Sequence, residues 1–375
     1  MSPAVSIVRC HTYDEEEVLK ALRQSLQMIG GIGTLIKRGD RVLLKPNLLA
    51  AKAPGKAVTT HPSIVRGMIQ IVREGGGIPF VGDSPGIGST VKVAEKAGIA
   101  TVAKSMDCAV VEFNRPVLPP GSKGNTFKNI EIDQAVLEAD VVINLPKWKT
   151  HAQMLLTLGV KNLFGCVSGS KKALWHLMAG EDRQLFARVL VDLYEIIRPG
   201  LTLLDGITGM EGNGPGSGPP IGLGLILASR DALSLDQVVC DLLDIPRQSL
   251  VTNRVALDRG LGKETIEVVG EKVEDVRIPD FHFPSLSRVD WNLPGFIKKA
   301  LKNALTAKPV IDEELCKNCR QCAEICPPKA IQAKGKEIPS FDYGRCIRCF
   351  CCLEVCPEGA VAIRQGWVLK WMNRK

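Results

Sequence analysis

Arg41-Val42-Leu43-Leu44-Lys45-Pro46-Asn47 is followed by His61-Pro62, by Ile64, Met68, Ile71 and Val72, by Gly75-Gly76-Gly77, and by Ile78-Pro79-Phe80-Val81-Gly82-Asp83. The first stretch is a short apolar run closed by polar residues, which reads as a buried strand. The second places apolar residues at helical spacing after a His-Pro start, and the glycines stop it. The third is another apolar run. Strand, helix and strand in this order predict a parallel pair joined by a crossover helix.

Working outward, the same alternation continues. Thr12 or Asp14 can cap a helix striped by Val18, Leu22, Leu26 and Ile29. Val93–Ala103 reads as helix, and Ala109–Phe113 and Val141–Leu145 as strands. Leu185, Val189, Leu193 and Ile197 form a helical stripe ended by Pro199-Gly200. Leu201–Leu204 and Leu223–Ala228 read as strands, and Leu235, Val238, Val239 and Leu242 mark the next helix. Ile266–Val269 and Val273–Ile278, joined by Gly270-Glu271-Lys272, suggest a hairpin. The expected fold is α/β, an open and mostly parallel sheet with helices on both faces.

Composition bounds the function. The chain has 375 residues, 45% of them apolar and 23% charged, which is ordinary globular usage over a length that allows more than one domain. A net charge of +8 is spread along the chain and only 5% of residues are aromatic, so no nucleic-acid partner is expected. The mild positive charge suits an acidic small molecule, an acidic protein or, less favoured, a membrane surface. No charged segment precedes an apolar one at the N-terminus, so no secretory signal is expected, and no apolar stretch reaches spanning length. The expectation is a soluble, cytoplasmic protein.

Three parts are expected: residues 1–285 as the α/β domain, 286–308 as a linker, and 309–375 as a small C-terminal domain. Within the linker, Phe296, Ile297, Ala300, Leu301 and Leu305 lie at helical spacing beside Lys298, Lys299 and Lys302. That pattern is a short basic amphipathic helix, which docks on a domain or meets a membrane surface. Trp367 and Trp371 near the C-terminus carry the same ambiguity.

Nine of the thirteen cysteines fall between Cys316 and Cys356. Cys316, Cys319, Cys322 and Cys326 are spaced C-x2-C-x2-C-x3-C, followed by Pro327. Cys346, Cys349, Cys352 and Cys356 repeat the run 30 residues later, followed by Pro357. Structural zinc is usually held by two separated cysteine pairs, so this duplicated run points to iron–sulfur clusters. In this pattern the fourth cysteine of each run serves the other cluster. One [4Fe-4S] cluster is then expected on Cys316, Cys319, Cys322 and Cys356, and a second on Cys346, Cys349, Cys352 and Cys326. Cys351 is left over. The stretch resembles bacterial two-cluster ferredoxins, which implies a small α+β domain and electron transfer. From residue 311 onward there are eleven Lys and Arg against eight Asp and Glu, so an acidic redox partner or a neighbouring domain is expected rather than a freely diffusing carrier.

Ligands of open parallel sheets bind beyond the carboxyl ends of the strands. Here those ends carry Lys45 and Asn47, then Asp83, Ser84 and Gly86, then Lys147, Lys149 and His151, then Asp205 and Glu211. Lys161 and Asn162 lie in an apolar setting, and His61 starts a helix. The lysines, with Asn47, His61, Ser84, Gly86 and Asn162, are candidates to hold an anionic small molecule. Lys147, Lys149, His151, Asp83, Asp205 and Glu211 are candidate acid–base groups. All are expected to line one pocket, with crowded cations keeping the His151 imidazole neutral.

Five ordered motifs carry a family resemblance: Lys45-Pro46-Asn47; Gly82-Asp83-Ser84-Pro85-Gly86; Leu145-Pro146-Lys147-x-Lys149-Thr150-His151; Lys161-Asn162-x-Phe164-Gly165; and Asp205-Gly206-x-x-Gly209-Met210-Glu211-Gly212-x-Gly214-Pro215. Over about residues 5–245 the chain resembles the domain of unknown function 362 family. The resemblance implies a redox setting, because such domains are often joined to two-cluster ferredoxin modules, but it assigns no reaction. Three readings stay open: an iron–sulfur oxidoreductase acting on an anionic ligand; a non-catalytic electron-transfer subunit or maturation factor; and a Lys/His acid–base enzyme with structural or sensing clusters.

Overall fold

The computed structural model describes residues 3–120, 126, 127, 129–284, 307–333, 335 and 337–364. The expected linker helix and the Trp367–Trp371 tail lie outside the described residues.

The α/β part is built in chain order from β1 (Ala4–Arg9), α1 (Glu15–Met28), β2 (Arg41–Pro46), α2 (Pro62–Glu74), β3 (Ile78–Asp83), α3 (Thr90–Lys96), α4 (Ile99–Ser105) and β4 (Ala109–Glu112). A small ribbon of β5 (Pro116–Val117) and β6 (Ile132–Asp133) and a short α5 (Gln134–Leu137) lead to β7 (Val141–Leu145), β8 (Lys147–His151) and β9 (Leu155–Thr157). Next come α6 (Gly159–Asn162), α7 (Gly169–Ala179), α8 (Arg183–Ile197), β10 (Leu201–Met210), β11 (Pro220–Ser229), α9 (Ala232–Leu242), α10 (Val251–Asp258) and β12 (Glu267–Gly270). The main sheet runs β12-β1-β11-β10-β7-β2-β3-β4, with β8 beside β10 and β9 beside β8. Among its described strands, β11 and β9 run against the rest, so the sheet is mostly parallel.

Burial on both faces follows from the alternation of side chains along a strand. Val42 and Leu44 pack with Leu22, Met68 and Ile99 from α1, α2 and α4. Leu43, between them, packs on the opposite face with Phe186 and Leu190 of α8. A third group joins β1, β10 and β11 to α9 through Ile7, Leu227, Leu235 and Val239. Asp14 caps α1 by accepting from the Glu16 and Glu17 amides, as expected.

Four sequence expectations need correction. The first strand, β1, was not anticipated; its hydrophobic run is short and its pairing with β11 and β12 is entirely long-range. The expected helix Val93–Ala103 is two helices, broken at Gly98, which takes φ +74°. The expected hairpin is absent: β12 pairs with β1, and Val273–Val276 forms a 3₁₀ turn. Finally, the segment after β7 is not a loop but the strand β8.

The strand order reverses between β2 and β7: β2, β3 and β4 extend one way, then the chain returns to place β7 on the other side of β2. This switch point opens a crevice at the carboxyl ends of the two strands. The C-terminal module covers it. Its described elements are two ribbons, Lys308–Ile311 with Val361–Arg364 and Ile331–Gln332 with Ser340–Phe341, and the short helices Gln321–Glu324 and Cys351–Val355. Ala152, just after β8, packs into this module's core with Cys322 and Leu353. A side chain at Gly216 would run into the Glu354 carbonyl, so the glycine-rich loop after β10 is what lets the module approach.

Candidate functional site

The cysteines sort into two groups in space. Cys316, Cys319, Cys322 and Cys356 border one partly open volume of about 350 Å³. Cys326, Cys346, Cys349 and Cys352 border another of about 300 Å³. Each fourth cysteine therefore stands with the other run. The backbone repeats as the cysteines do. Asn318 and Arg320 take φ of 51° and 64°, and Arg348 and Phe350, 30 residues on, take 54° and 60°. Left-handed conformations are unfavourable for such side chains, and their recurrence inside each cysteine run marks a functional constraint. They wrap the chain around a central body. The Ala330 amide donates to Cys326 Sγ at 3.2 Å, and the Ala360 amide to Cys356 Sγ at 3.2 Å. Backbone N–H groups aimed at ligand sulfur fit an iron–sulfur cluster. Among the described residues no His, Cys, Asp or Glu group converges as it would on a single metal ion.

Beneath the module lies a partly open cleft of about 710 Å³. From β2 and β3 it receives Asn47, Asp83, Ser84 and Gly86; from β8, Lys149 and His151; from α6, Lys161 and Asn162. These eight sequence candidates converge. Lys45 lies beneath them, its Nζ 2.8 Å from Asp83 Oδ1 and both groups buried. A side chain at Gly165 would strike both partners, which explains the glycine in that motif.

Four candidates are elsewhere, contrary to expectation. Lys147 shares a strand face with Lys149, but Asp205 stands directly across from it on β10. Lys147 Nζ lies 2.8 Å from Asp205 Oδ2 and donates to Tyr13 Oη at 2.7 Å. The Tyr13 hydroxyl donates to the other Asp205 oxygen, and the His61 amide to Oδ2. His61 itself caps α2 and stacks on Tyr13 with centroids 3.5 Å apart. This set is closed on itself. Glu211 accepts from the His282 amide at 2.9 Å, away from the cleft.

The electrostatics of the cleft are unusual. Lys149 Nζ donates to Asn47 Oδ1 at 2.8 Å and to the Val58 carbonyl at 2.6 Å, and burial first, then neighbouring Lys161 and Lys147, push its pKa down to about 7 against the opposing pull of Glu354. Lys161 Nζ sits 5.1 Å and 5.6 Å from the Phe164 and Phe186 ring centroids, with no carboxylate in ion-pair range among the described residues. Burial pushes its pKa down as well.

His151 Nδ1 accepts from the Gln153 and Met154 amides at 3.1 and 3.2 Å. A ring nitrogen that accepts twice carries no proton, so the proton of the neutral ring is on Nε2. Burial keeps this ring neutral and Lys161 adds to the effect.

Sequence reasoning missed part of the site. Lys172 and His176 of α7 line the cleft; Lys172 reaches the Ser84 and Pro85 carbonyls, with burial lowering its pKa to about 7. The apolar pattern around His176 gave no reason to rank it. The module itself contributes Cys351, Glu354, Val355 and Ile325. Glu354 Oε1 lies 3.0 Å from His151 Nε2. Burial alone would raise its pKa; the His151 hydrogen bond and the Lys161 charge outweigh that and hold it well below the usual carboxylate range.

Residues 42–241 match the family model described as a domain of unknown function (DUF362), and residues 308–357 match a 4Fe-4S dicluster domain. The thylakoid-associated protein sll1697 of Synechocystis sp. is 39% identical over 310 residues, covering 81% of this chain and 95% of that protein. The lactate racemase apoprotein of Thermoanaerobacterium thermosaccharolyticum aligns with a TM-score of 0.41 at 12% identity, over 60% of this chain and 54% of that one. No helix among the described residues is long and apolar enough to cross a membrane. The motifs on the rim, the extent of the family match and the near full-length relative agree: this chain is an iron–sulfur protein that belongs to the DUF362 family.

Proposed function

We propose that the protein holds two [4Fe-4S] clusters and passes electrons between them and an anionic ligand bound in the cleft. One observation carries this reading. Cys351 borders both the cleft and the volume ringed by Cys326, Cys346, Cys349 and Cys352, so a bound ligand and that cluster would be separated by a single side-chain layer. When bound, the clusters supply one-electron chemistry; the protein's own groups hold the ligand. Lys149, Lys161 and Lys172 neutralise its charge, His151 offers an Nε2–H donor, and the module's helix Cys351–Val355 closes the cleft. The α/β domain would span residues 1–285 and the cluster domain residues 309–375, joined by a linker at 286–308. An acidic redox partner would meet the exposed edge at Cys319, between Lys317 and Arg320. The work would be done in the cytoplasm, and the thylakoid association of the relative supports surface contact with a membrane there.

The test is recovery of small molecules from anaerobically purified protein, followed by their addition to dithionite-reduced protein. The recovered anion should change the electron paramagnetic resonance of the reduced clusters, and Lys161→Met protein should bring none with it. A recovered compound that leaves the reduced clusters untouched argues against electron transfer to the cleft. The near-neutral Lys149 beside a neutral imidazole favours acid–base chemistry as second reading; activity that survives cluster removal would select it.

The two softened lysines give a pH dependence. Lys149 faces Glu354, Lys161, Lys147 and Asp83, and Lys172 faces Asp83, Lys45, Lys161 and Cys166. With both pKa values near 7, each lysine is charged below that pH and loses its proton above it. Anion affinity should therefore be greatest below pH 7 and fall about tenfold or more by pH 8.5. Benzene-1,4-disulfonate, whose own charge is constant, is the appropriate probe at fixed ionic strength. An affinity independent of pH would show that neither lysine contacts the anion.

A further inference from the structure

We propose that the cleft is built for a small organic dianion, a dicarboxylate or phosphomonoester, carried on an apolar or aromatic body. This rests on the reading of the cleft as an anion site and narrows it to a ligand class.

Charge comes first. Four lysines, Lys45, Lys149, Lys161 and Lys172, meet at the cleft and its floor, against two carboxylates, Asp83 and Glu354. Lys45 and Asp83 cancel each other in direct contact. Glu354 offsets one more cation. With Lys149, Lys161 and Lys172 protonated, as a bound anion would hold them, two positive charges remain, and burying them without counter-charge is costly. A dianion balances the site; a monoanion leaves one lysine uncompensated.

Unsatisfied donors come second. Thr157 Oγ1 and His176 Nδ1 line the cleft without a hydrogen-bond partner, although their residues are only 4% and 4% exposed, and His151 Nε2 meets Glu354 alone. Buried polar atoms are nearly always paired in a working structure, so these mark the place of a ligand. Each can donate, which suits oxyanion acceptors. Leu49, Phe164, Ile325 and Val355 add an apolar part to the wall. Bare phosphate would leave that wall unused, whereas an aromatic or aliphatic body covers it.

Glu354 has a special place here. It is supplied by the module, and its carboxylate sits among His151, Lys161 and His176, where a ligand oxyanion would also be drawn. It therefore competes with the ligand for the same donors. Removing its charge should strengthen dianion binding, an outcome that misfolding does not imitate.

The experiment is calorimetric titration of the anaerobic, cluster-loaded full chain with terephthalate, phenyl phosphate, benzoate and inorganic phosphate. Terephthalate or phenyl phosphate should bind at least about tenfold more tightly than benzoate and inorganic phosphate. Whichever of the two is stronger identifies the source of the charge. Lys161→Met should weaken that binding at least about tenfold, and Glu354→Gln should tighten it about threefold or more. No binding by any of the four, equal binding of benzoate, or weaker binding by Glu354→Gln overturns the assignment. A dianion that binds without altering the reduced clusters' resonance would leave the assignment intact and sink the electron-transfer reading. Reoxidation of the clusters by a neutral or singly charged compound would do the opposite.

Discussion

Anaerobically purified protein is expected to carry about eight iron and eight sulfide per chain, and Cys319→Ser protein about half of that. Two cysteine groups border two separate volumes, and the left-handed residues and amide-to-sulfur contacts recur at the same 30-residue interval. Loss of one thiolate removes one corner of one group and leaves the other complete. Cys351→Ser should leave iron unchanged, because Cys351 belongs to neither group of four. It is not inert, however. Its side chain borders the same volume as Cys349, and a hydrogen bond from its thiol to a ligand sulfur would raise that cluster's potential. Cys351→Ala should keep the iron count and lower the midpoint potential of one cluster, read by redox titration. Near-stoichiometric zinc without sulfide would end the cluster reading, and an unchanged potential in Cys351→Ala would remove the tuning role.

The second large effect separates two lysines that look alike in sequence. Lys147→Met should destabilise the α/β part by about 3–5 kcal/mol, because it strands Asp205 as an unpaired buried carboxylate. Lys161→Met should cost little stability. Lys161 has no carboxylate in ion-pair range among the described residues, and its removal deletes a desolvated charge lying against two aromatic rings. The binding outcomes reverse: the Lys161 variant should lose the anion, whereas surviving Lys147 protein should keep it. Denaturant unfolding of the cluster-loaded chain, alongside anion titration, measures both. Equal destabilisation by the two substitutions would mean that Lys161 is also structural.

How far the sequence reaches is clearest in that same strand. Local pattern settled the strand–helix alternation, because apolar runs and helical stripes are properties of neighbouring residues. The duplicated cysteine run pointed to the grouping of thiolates seen in space, through its likeness to the two-cluster ferredoxin pattern. Strand ends rich in Lys, Asn and His pointed to the rim, where eight of the candidates gather around one cleft. Sequence alone did not reveal that Lys147 meets Asp205 across β8 and β10, because cross-strand register is set by long-range pairing. Nor did it reveal β1 or the loss of the expected hairpin, both decided by which distant edge completed the sheet. Above all, only the tertiary structure brought the helix Cys351–Val355 over the switch point, placing Glu354 3.0 Å from His151. Those residues are some two hundred positions apart, and no local periodicity encodes a contact between surfaces so distant along the chain. Which lysines are cancelled and which remain to hold a ligand depends on that contact.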